Sequence, residues 1–380
     1  MSGPAPAWPV GLARLAQALG RDLQRAARAA GGPERLWSCD RPGLGRALRA
    51  AGGDLDVAHR ARARIDPAAD AAALRAAGIA HVGPPHAAYP AALRELVDPP
   101  FCLFLRGRAE EALARLAEGP AVAVVGARRA TVQGAAFARE LGGELARRGA
   151  VVVSGLAHGI DAAAHEGALE AGGATVAVLG CGVDVPYPRR NRGLARRIAE
   201  TGALVSEFWP GTPPAPWRFP ARNRIVAGLC GAVAVVEAGR RSGALITADF
   251  ALELGRPVLA VPGWPGALAS EGCNGLLRAG AALLESADDV VAELRHPGWR
   301  EVAPPRPPAL EGLMGRVHER LAREPMAADA LAEALGEDPG AIAAAIALLE
   351  VEGLAVRGEG QRFWAAPLRG APGATGGGRG

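Results

Sequence analysis

Ala121-Val122-Ala123-Val124-Val125-Gly126-Ala127-Arg128, followed further on by Ala150-Val151-Val152-Val153-Ser154-Gly155, decides the fold of this chain. Each stretch is a short apolar run closed by glycine. The segment between them, Ala135–Arg148, carries its apolar residues at helical spacing. Apolar runs that are continuous rather than alternating mark strands covered on both faces, as in a parallel sheet. The pattern recurs at Ala174–Leu179, Ala203–Ser206, Ala232–Val236, Val258–Val261 and Ala281–Leu284, with amphipathic segments such as Ile160–Ala171 in between. Strand and helix in regular alternation predict a doubly wound α/β sheet.

Outward from this core the composition changes. From Trp8 to Ile79 the sequence is rich in alanine and arginine. Leu12, Leu15, Leu19 and Leu23 lie at helical spacing, and Gly31-Gly32-Pro33 and Arg41-Pro42-Gly43 act as breaks. Residues 1–79 are read as a small helical domain of the SAM-like kind. The stretch 80–119, with Tyr89-Pro90 and Asp98-Pro99-Pro100-Phe101, reads as a lead-in to a core that spans 80–296. A proline-rich linker at 297–308 precedes a unit at 309–368. There Leu310–Arg323, Ala327–Leu335 and Pro339–Glu352 read as helices, Gly353 as a cap, and Leu354–Val356 with Arg362–Ala365 as a hairpin around Gly358-Glu359-Gly360: a winged-helix pattern. The glycine-rich 369–380 reads as a disordered tail.

Composition excludes several chemistries. The 380 residues include no lysine, so all 43 basic residues are arginine. A P-loop needs a lysine for the terminal phosphates and a pyridoxal enzyme needs one for its Schiff base, so neither is available. The net charge of +4 permits an anionic partner without demanding one. The five cysteines form no CxxC pair and fit a reducing compartment. With neither a signal architecture nor an apolar run of spanning length, a cytoplasmic protein that does not engage the membrane is expected.

In a doubly wound sheet ligands bind in the loops at the carboxyl ends of the strands. After the first run, Gly126 allows close backbone approach and Arg128 offers a forked donor to phosphate, although no GxGxxG is present. After the second comes Ser154-Gly155-Leu156-Ala157-His158-Gly159-Ile160-Asp161-Ala162-Ala163-Ala164-His165. His158, Asp161 and His165 could share a helix face around a metal. The better reading has Asp161 bracing the helix start and His165 packed beneath the loop. After the fourth run, Phe208, Trp209, Trp217 and Phe219 fall within twelve residues, interleaved with or followed by Arg218, Arg222 and Arg224. Rings beside guanidiniums are how proteins hold single strands. Trp209 and Trp217 could equally bury the loop, whereas Phe219 and Arg222 are read as binding residues. After the fifth run, Ser242 could cap a helix whose N-terminus seats a phosphate, and Glu237 is the one well-placed candidate acid.

Taken together these loops resemble the DNA-processing protein A (DprA/Smf) family. The resemblance runs through Val125-Gly126-Ala127-Arg128, Ser154–Asp161 with Ala164-His165, Val178–Asp184 with Tyr187-Pro188 and Asn191, Phe219–Leu229, Ser242–Thr247, Ala260–Gly263 and Gly272-Cys273-Asn274. It implies an extended Rossmann-like domain without nucleotide-dependent catalysis and with no cofactor or metal, hence not an enzyme. It also implies a homodimer built through that domain, single-stranded DNA held in a basic crevice, and delivery of incoming DNA to the RecA recombinase during natural transformation. By position, the strand contacts it implies are Gly126, Arg128, Ser154, Gly155, His158, Gly159, Arg218, Phe219, Arg222, Asn223, Arg224, Ser242 and Gly243. Ala127, Cys230 and Ala244 stand where the family commonly has serine, and the lysine it often carries in the loop before Phe219 is absent, with Arg218 the candidate replacement, a swap that is not neutral.

The third helix of the winged unit, Ala341–Glu350, offers no arginine, asparagine or glutamine to base edges, so a protein-contact or packing role is expected. The rival reading from another class is a nucleotide phosphoribohydrolase on a related sheet. It calls for a Pro-Gly-Gly-x-Gly-Thr loop, and the corresponding stretch here is Arg241-Ser242-Gly243-Ala244-Leu245.

Overall fold

All seven apolar runs form strands. The computed structural model describes residues 6–301, 310–352, 354–357 and 361–365. The strands of the first unit are β1 (Ala80–Val82), β2 (Leu103–Gly107), β3 (Ala121–Gly126), β4 (Val151–Ser154), β5 (Thr175–Val178), β6 (Ala203–Ser206), β7 (Ala232–Glu237), β8 (Val258–Ala260) and β9 (Ala282–Leu283). They lie in the order β1-β2-β6-β5-β4-β3-β7-β8-β9. From β6 to β9 every neighbouring pair is parallel. β2 pairs antiparallel with both β6 and β1. The expected doubly wound parallel sheet is thus present through its seven strands β6 to β9, with an antiparallel extension of β2 and β1 at one edge. The lead-in supplies two strands because Leu103, Phe104 and Leu105 bury themselves along the free edge of β6.

Both faces of the sheet are covered. Val122 and Val124 face one helical layer, Ala123 and Val125 the other, and none is more than 5% exposed. Each buried valine contributes about 1.5–3 kcal/mol, which explains why the runs are apolar without alternation. The chain steps from β3 through β4 and β5 to β6, then returns to lay β7 on the opposite side of β3. That reversal is the topological switch point, where the loops leaving adjacent strands diverge and open a crevice. A register shift between Val125 and Gly126, where Gly126 pairs with Glu237, turns the end of β3 into it.

Six helices between Trp8 and Ala76 form the N-terminal part. Asp40, Asp54 and Asp66 cap three of them through backbone amides, which sets the breaks more firmly than the glycines do. Leu12, Leu15, Leu23, Leu36, Leu44 and Leu48 make their core. Val10 and Ala13 pack with Cys102, Phe104 and Trp209, so these helices share one compact unit with the sheet, through Arg300. Trp209 is thereby buried, edge-on to Phe104 at 5.3 Å.

The second unit has helices Gly312–Arg323, Ala328–Leu335 and Pro339–Val351. Its sheet is formed by β10 (Met326–Ala327), β11 (Ala355–Arg357) and β12 (Arg362–Ala365) in the order β10-β12-β11. β10 adds a strand to the expected hairpin, around a core of Val317, Leu321, Leu331, Ile342, Ile346 and Phe363. The Gly353 cap, the 358–360 loop, most of the 297–308 linker and the 369–380 tail lie outside the described residues. Among the described residues no helix is long and apolar enough to cross a membrane.

Candidate nucleic-acid interface

At the switch point a cavity of about 650 Å³ opens between the loops after β3, β4 and β7 and the helix Arg218–Leu229. A recess of about 60 Å³ adjoins it. Two glycines make the close packing of the loops feasible. A Cβ on Gly126 would lie 2.6 Å from the Ile160 side chain, and one on Gly159 2.3 Å from the Ala127 carbonyl. Gly159 also has φ +76°, which glycine alone adopts readily.

The carboxylates at the rim are spent on the backbone. Glu237 accepts from the Thr131 amide at 3.1 Å and from its hydroxyl at 2.7 Å, pinning the β3 loop to β7. Its reading as a candidate acid gives way to a brace. Asp161 Oδ2 accepts from the Gly155 and Ala157 amides at 3.1 and 3.3 Å. Between them Leu156 has φ +57°, a strained conformation for a branched side chain. Asn191 Nδ2 helps hold it by donating to the Leu156 and Ala157 carbonyls at 3.0 and 3.2 Å. Burial pushes the Asp161 carboxyl above its usual range, while the Arg222 charge and the two amides pull it back.

Arg222 is 5% exposed. It donates to the carbonyls of Gly155, at 2.8 Å, and of Val178, tying the β4 loop to the end of β5. Burial lowers its pKa against the opposing charge of Asp161. Expected as a strand contact, Arg222 lines the cavity but spends its hydrogen bonds inward. Asn223 donates to the Gly243 carbonyl at 3.1 Å and joins the helix to the β7 loop. His165 lies fully buried beneath the β4 loop. Thr175 Oγ1 gives its hydrogen to the Val152 carbonyl, so His165 Nδ1 must donate to that hydroxyl at 2.7 Å. Among the described residues its Nε2 has no partner, and burial, aided by Arg222, pushes the imidazole down to about 3.

What faces outward is different. Arg128 is exposed, stacks over the Phe219 ring at 5.3 Å, and has no carboxylate partner among the described residues. Gly126, Gly155, Phe219, Ser242 and Gly243 share its cavity, and His158 lines the adjoining recess. Ser242 caps the helix Gly243–Glu253, with the Ala244 amide at 3.3 Å, so that helix's N-terminus opens on the cavity. Two lining residues went unassigned in the sequence reading. Arg241 is exposed and follows β7, and Tyr187 sets its ring 5.5 Å from Phe219. Arginine beside Ser242 was the available signal for the first. The second carried none beyond its Tyr-Pro pair.

Four expected contacts do not line the crevice. Ser154 is buried and donates to the Val124 carbonyl at 2.6 Å. Gly159 packs under the β3 loop. Arg224 forms a two-pronged pair with Glu207, both contacts at 2.6 Å. Arg218 stacks on Trp217 at 4.9 Å and Phe208 at 5.3 Å, and lines a different cavity together with Arg224. The reason is helix phase. The segment expected as loop is helical from Arg218, so residues 219, 222, 223 and 226 face the crevice while 218, 221 and 224 face away.

A Rossmann-like sheet whose switch point presents exposed Arg128 and Arg241, a helix N-terminus and stacked rings, in a chain that also carries a winged-helix unit, defines a class without the dinucleotide fingerprint. Comparison with known proteins narrows this. The model of the DNA recombination-mediator protein A family matches residues 80–295, and that of the DprA winged helix domain residues 301–361. The chain belongs to the DNA recombination-mediator protein A family. It is 47% identical over 240 residues to a Mycobacterium tuberculosis DprA relative, an alignment spanning 62% of each chain. To the DNA processing protein DprA of Streptococcus pneumoniae it is 46% identical over 54% of this chain and 71% of that one. The X-ray structure of DNA processing protein A from S. pneumoniae matches with a TM-score of 0.63 at 37% identity, over 74% of this chain and 96% of that one. A structure describing the single-stranded DNA binding mode of the Helicobacter pylori protein matches with a TM-score of 0.51 at 31% identity, over 57% and 95%.

Proposed function

We propose that the crevice binds single-stranded DNA without strong sequence preference, and that the chain acts in the cytoplasm, as a homodimer through its Rossmann-like domain, to protect incoming strands and load RecA on them during natural transformation. The observation that carries the binding step is Arg128, an uncommitted guanidinium over the Phe219 ring at the mouth of the switch-point cavity. Arg128, Arg241 and the Ser242–Gly243 helix start take phosphates, and Phe219 with Tyr187 offers a stacking surface for a base. Arg222, Asn223 and Asp161 are positioning residues that hold the loops. Glu237 and Asp161 are already committed to backbone amides, which supports a binding role over a hydrolytic one. RecA delivery and the dimer rest on family membership.

The test is anisotropy of labelled oligo-dT and of a matched duplex over a series of salt concentrations. The single strand should bind more tightly, with log affinity falling linearly in log salt at about −0.7 per phosphate engaged. Equal affinity for duplex, or binding indifferent to salt, overturns the reading. A gel shift with RecA added tests the loading step separately.

A further inference from the structure

On the other side of the first turn of the Arg218–Leu229 helix lies a second cavity, of about 340 Å³, between the N-terminal helices and the 207–217 loop. Its apolar walls are dominated by the rings of Phe101, Phe208, Trp209, Trp217 and Phe250. Two polar atoms on its lining residues are buried with no hydrogen-bond partner among the described residues. One is Thr212 Oγ1, on a residue only 5% exposed, and the other is Arg218 Nε. A buried donor left unmatched is costly, so native structures retain one mainly where something else completes it. Of the charged residues around it, Glu207 is paired with Arg224 and Asp98 with Arg28, while Asp22 accepts from the Gln24 amide and Arg21 donates to the Gly52 carbonyl. The cavity therefore offers aromatic faces, with the Arg218 Nε–H and the Thr212 hydroxyl as its buried, unpartnered polar groups among the described residues.

We propose that this cavity is a pocket for a planar, carbonyl-bearing heterocycle of the nucleobase type. Its volume is at the low end for small-molecule sites and suits a single ring system. Acceptor oxygens on the ring edge would meet the Arg218 Nε–H and the Thr212 hydroxyl, and the ring face would lie against Trp217 or Phe208. The base has two sources, a free nucleoside or a nucleotide of a bound strand. The second source rests on the single-strand reading above. Pro216 lines the crevice and Trp217 this pocket, so a strand crossing the helix start would carry one base over. The pocket's chemistry does not rest on that reading.

Saturation-transfer NMR with thymidine as the probe, on the full chain, tests the pocket. Thymidine base protons should show saturable contact with the parent protein. That contact should weaken at least fivefold in Thr212→Val and in Trp217→Ala, the latter at a half-exposed position that tolerates truncation, and stay unchanged in Arg357→Ala of the winged unit. In parallel, oligo-dT affinity should fall in Arg128→Ala. A further fall of about threefold in Thr212→Val assigns the pocket to a strand base, and no fall assigns it to a free nucleoside. Thymidine contact with no oligo-dT binding upholds the pocket and removes the single-strand reading. Absence of saturable thymidine contact, or contact unaffected by both pocket variants, overturns the proposal.

Discussion

The switch-point crevice and the third helix of the winged unit occupy the places where their respective folds commonly bind ligands, nucleotides in the one and duplex DNA in the other, and they are built from opposite chemistry. The crevice has exposed Arg128 and Arg241, a helix N-terminus and paired rings. The helix Pro339–Val351 presents Ala343, Ala344, Ala347, Leu348, Glu350 and Val351 to solvent. Beside it Val356 and Trp364 face each other across the hairpin, 44% and 39% exposed. Between residues 310 and 365 there are ten acidic side chains against five arginines, although the whole chain carries a net charge of +4. A polyanion is repelled by such a surface and has no base-edge reader on it. Two ligand-binding places thus differ in what their side chains permit, and function follows the side chains.

The largest expected effect separates the two units. Arg222→Ala leaves Asp161 buried without its counter-charge and should destabilise the first unit by about 3–5 kcal/mol. Amide hydrogen exchange should show protection falling across β4 and β5 and holding in the winged unit. Acid should have a graded effect on the same side. His165 is held near 3 when folded and titrates near 6.5 when unfolded. Between those values the unfolded chain carries a proton the folded one lacks. The stability of the first unit is therefore complete above about pH 6.5 and falls by about 1.4 kcal/mol per unit as pH drops toward 3. In His165→Asn the denaturation midpoint should be lower at neutral pH and flatter through that window.

Smaller effects sharpen the contrast in binding. Arg128→Ala should cut oligo-dT affinity severalfold and reduce the salt slope by about 0.7, one phosphate's worth. The hairpin variants Arg357→Ala and Arg362→Ala should leave that slope unchanged. If they flatten it as much, the winged unit binds the strand and the comparison breaks. Least of all, Leu348→Ser with Val351→Ser should shift stability by no more than about 0.5 kcal/mol per site and leave DNA affinity untouched, measured by melting and anisotropy on the same samples.

The seven parallel strands were legible because burial on both faces forces unbroken apolar runs, and Ala203–Ser206 was read to the residue. β2 was not, since Leu103-Phe104-Leu105 is short, flanked by Pro99-Pro100 and by Arg106-Gly107, and becomes a strand only by pairing with β6. In the site, the loops were legible and the division of labour among the arginines was not. Pro213, Pro214, Pro216 and Pro220 suggested a loop, yet Pro220 falls in the first helical turn, where a missing N–H costs nothing. Once that segment is helical, phase alone sends Arg222 inward and Arg218 and Arg224 to the other side. Which guanidinium remains free depends on Gly155, Val178 and Glu207, residues remote in sequence.

The contrast between Arg128 and Arg222 has a consequence for chemical footprinting. With no ε-amine in the chain, amine-directed acylation finds nothing in the crevice to modify. Dicarbonyl reagents that condense with guanidinium groups would instead meet Arg128 and Arg241 at the rim and be shut out from Arg222. The order in which arginines acquire adducts, with and without an oligonucleotide, would read occupancy of the cleft in a chain whose surface cations are otherwise chemically alike.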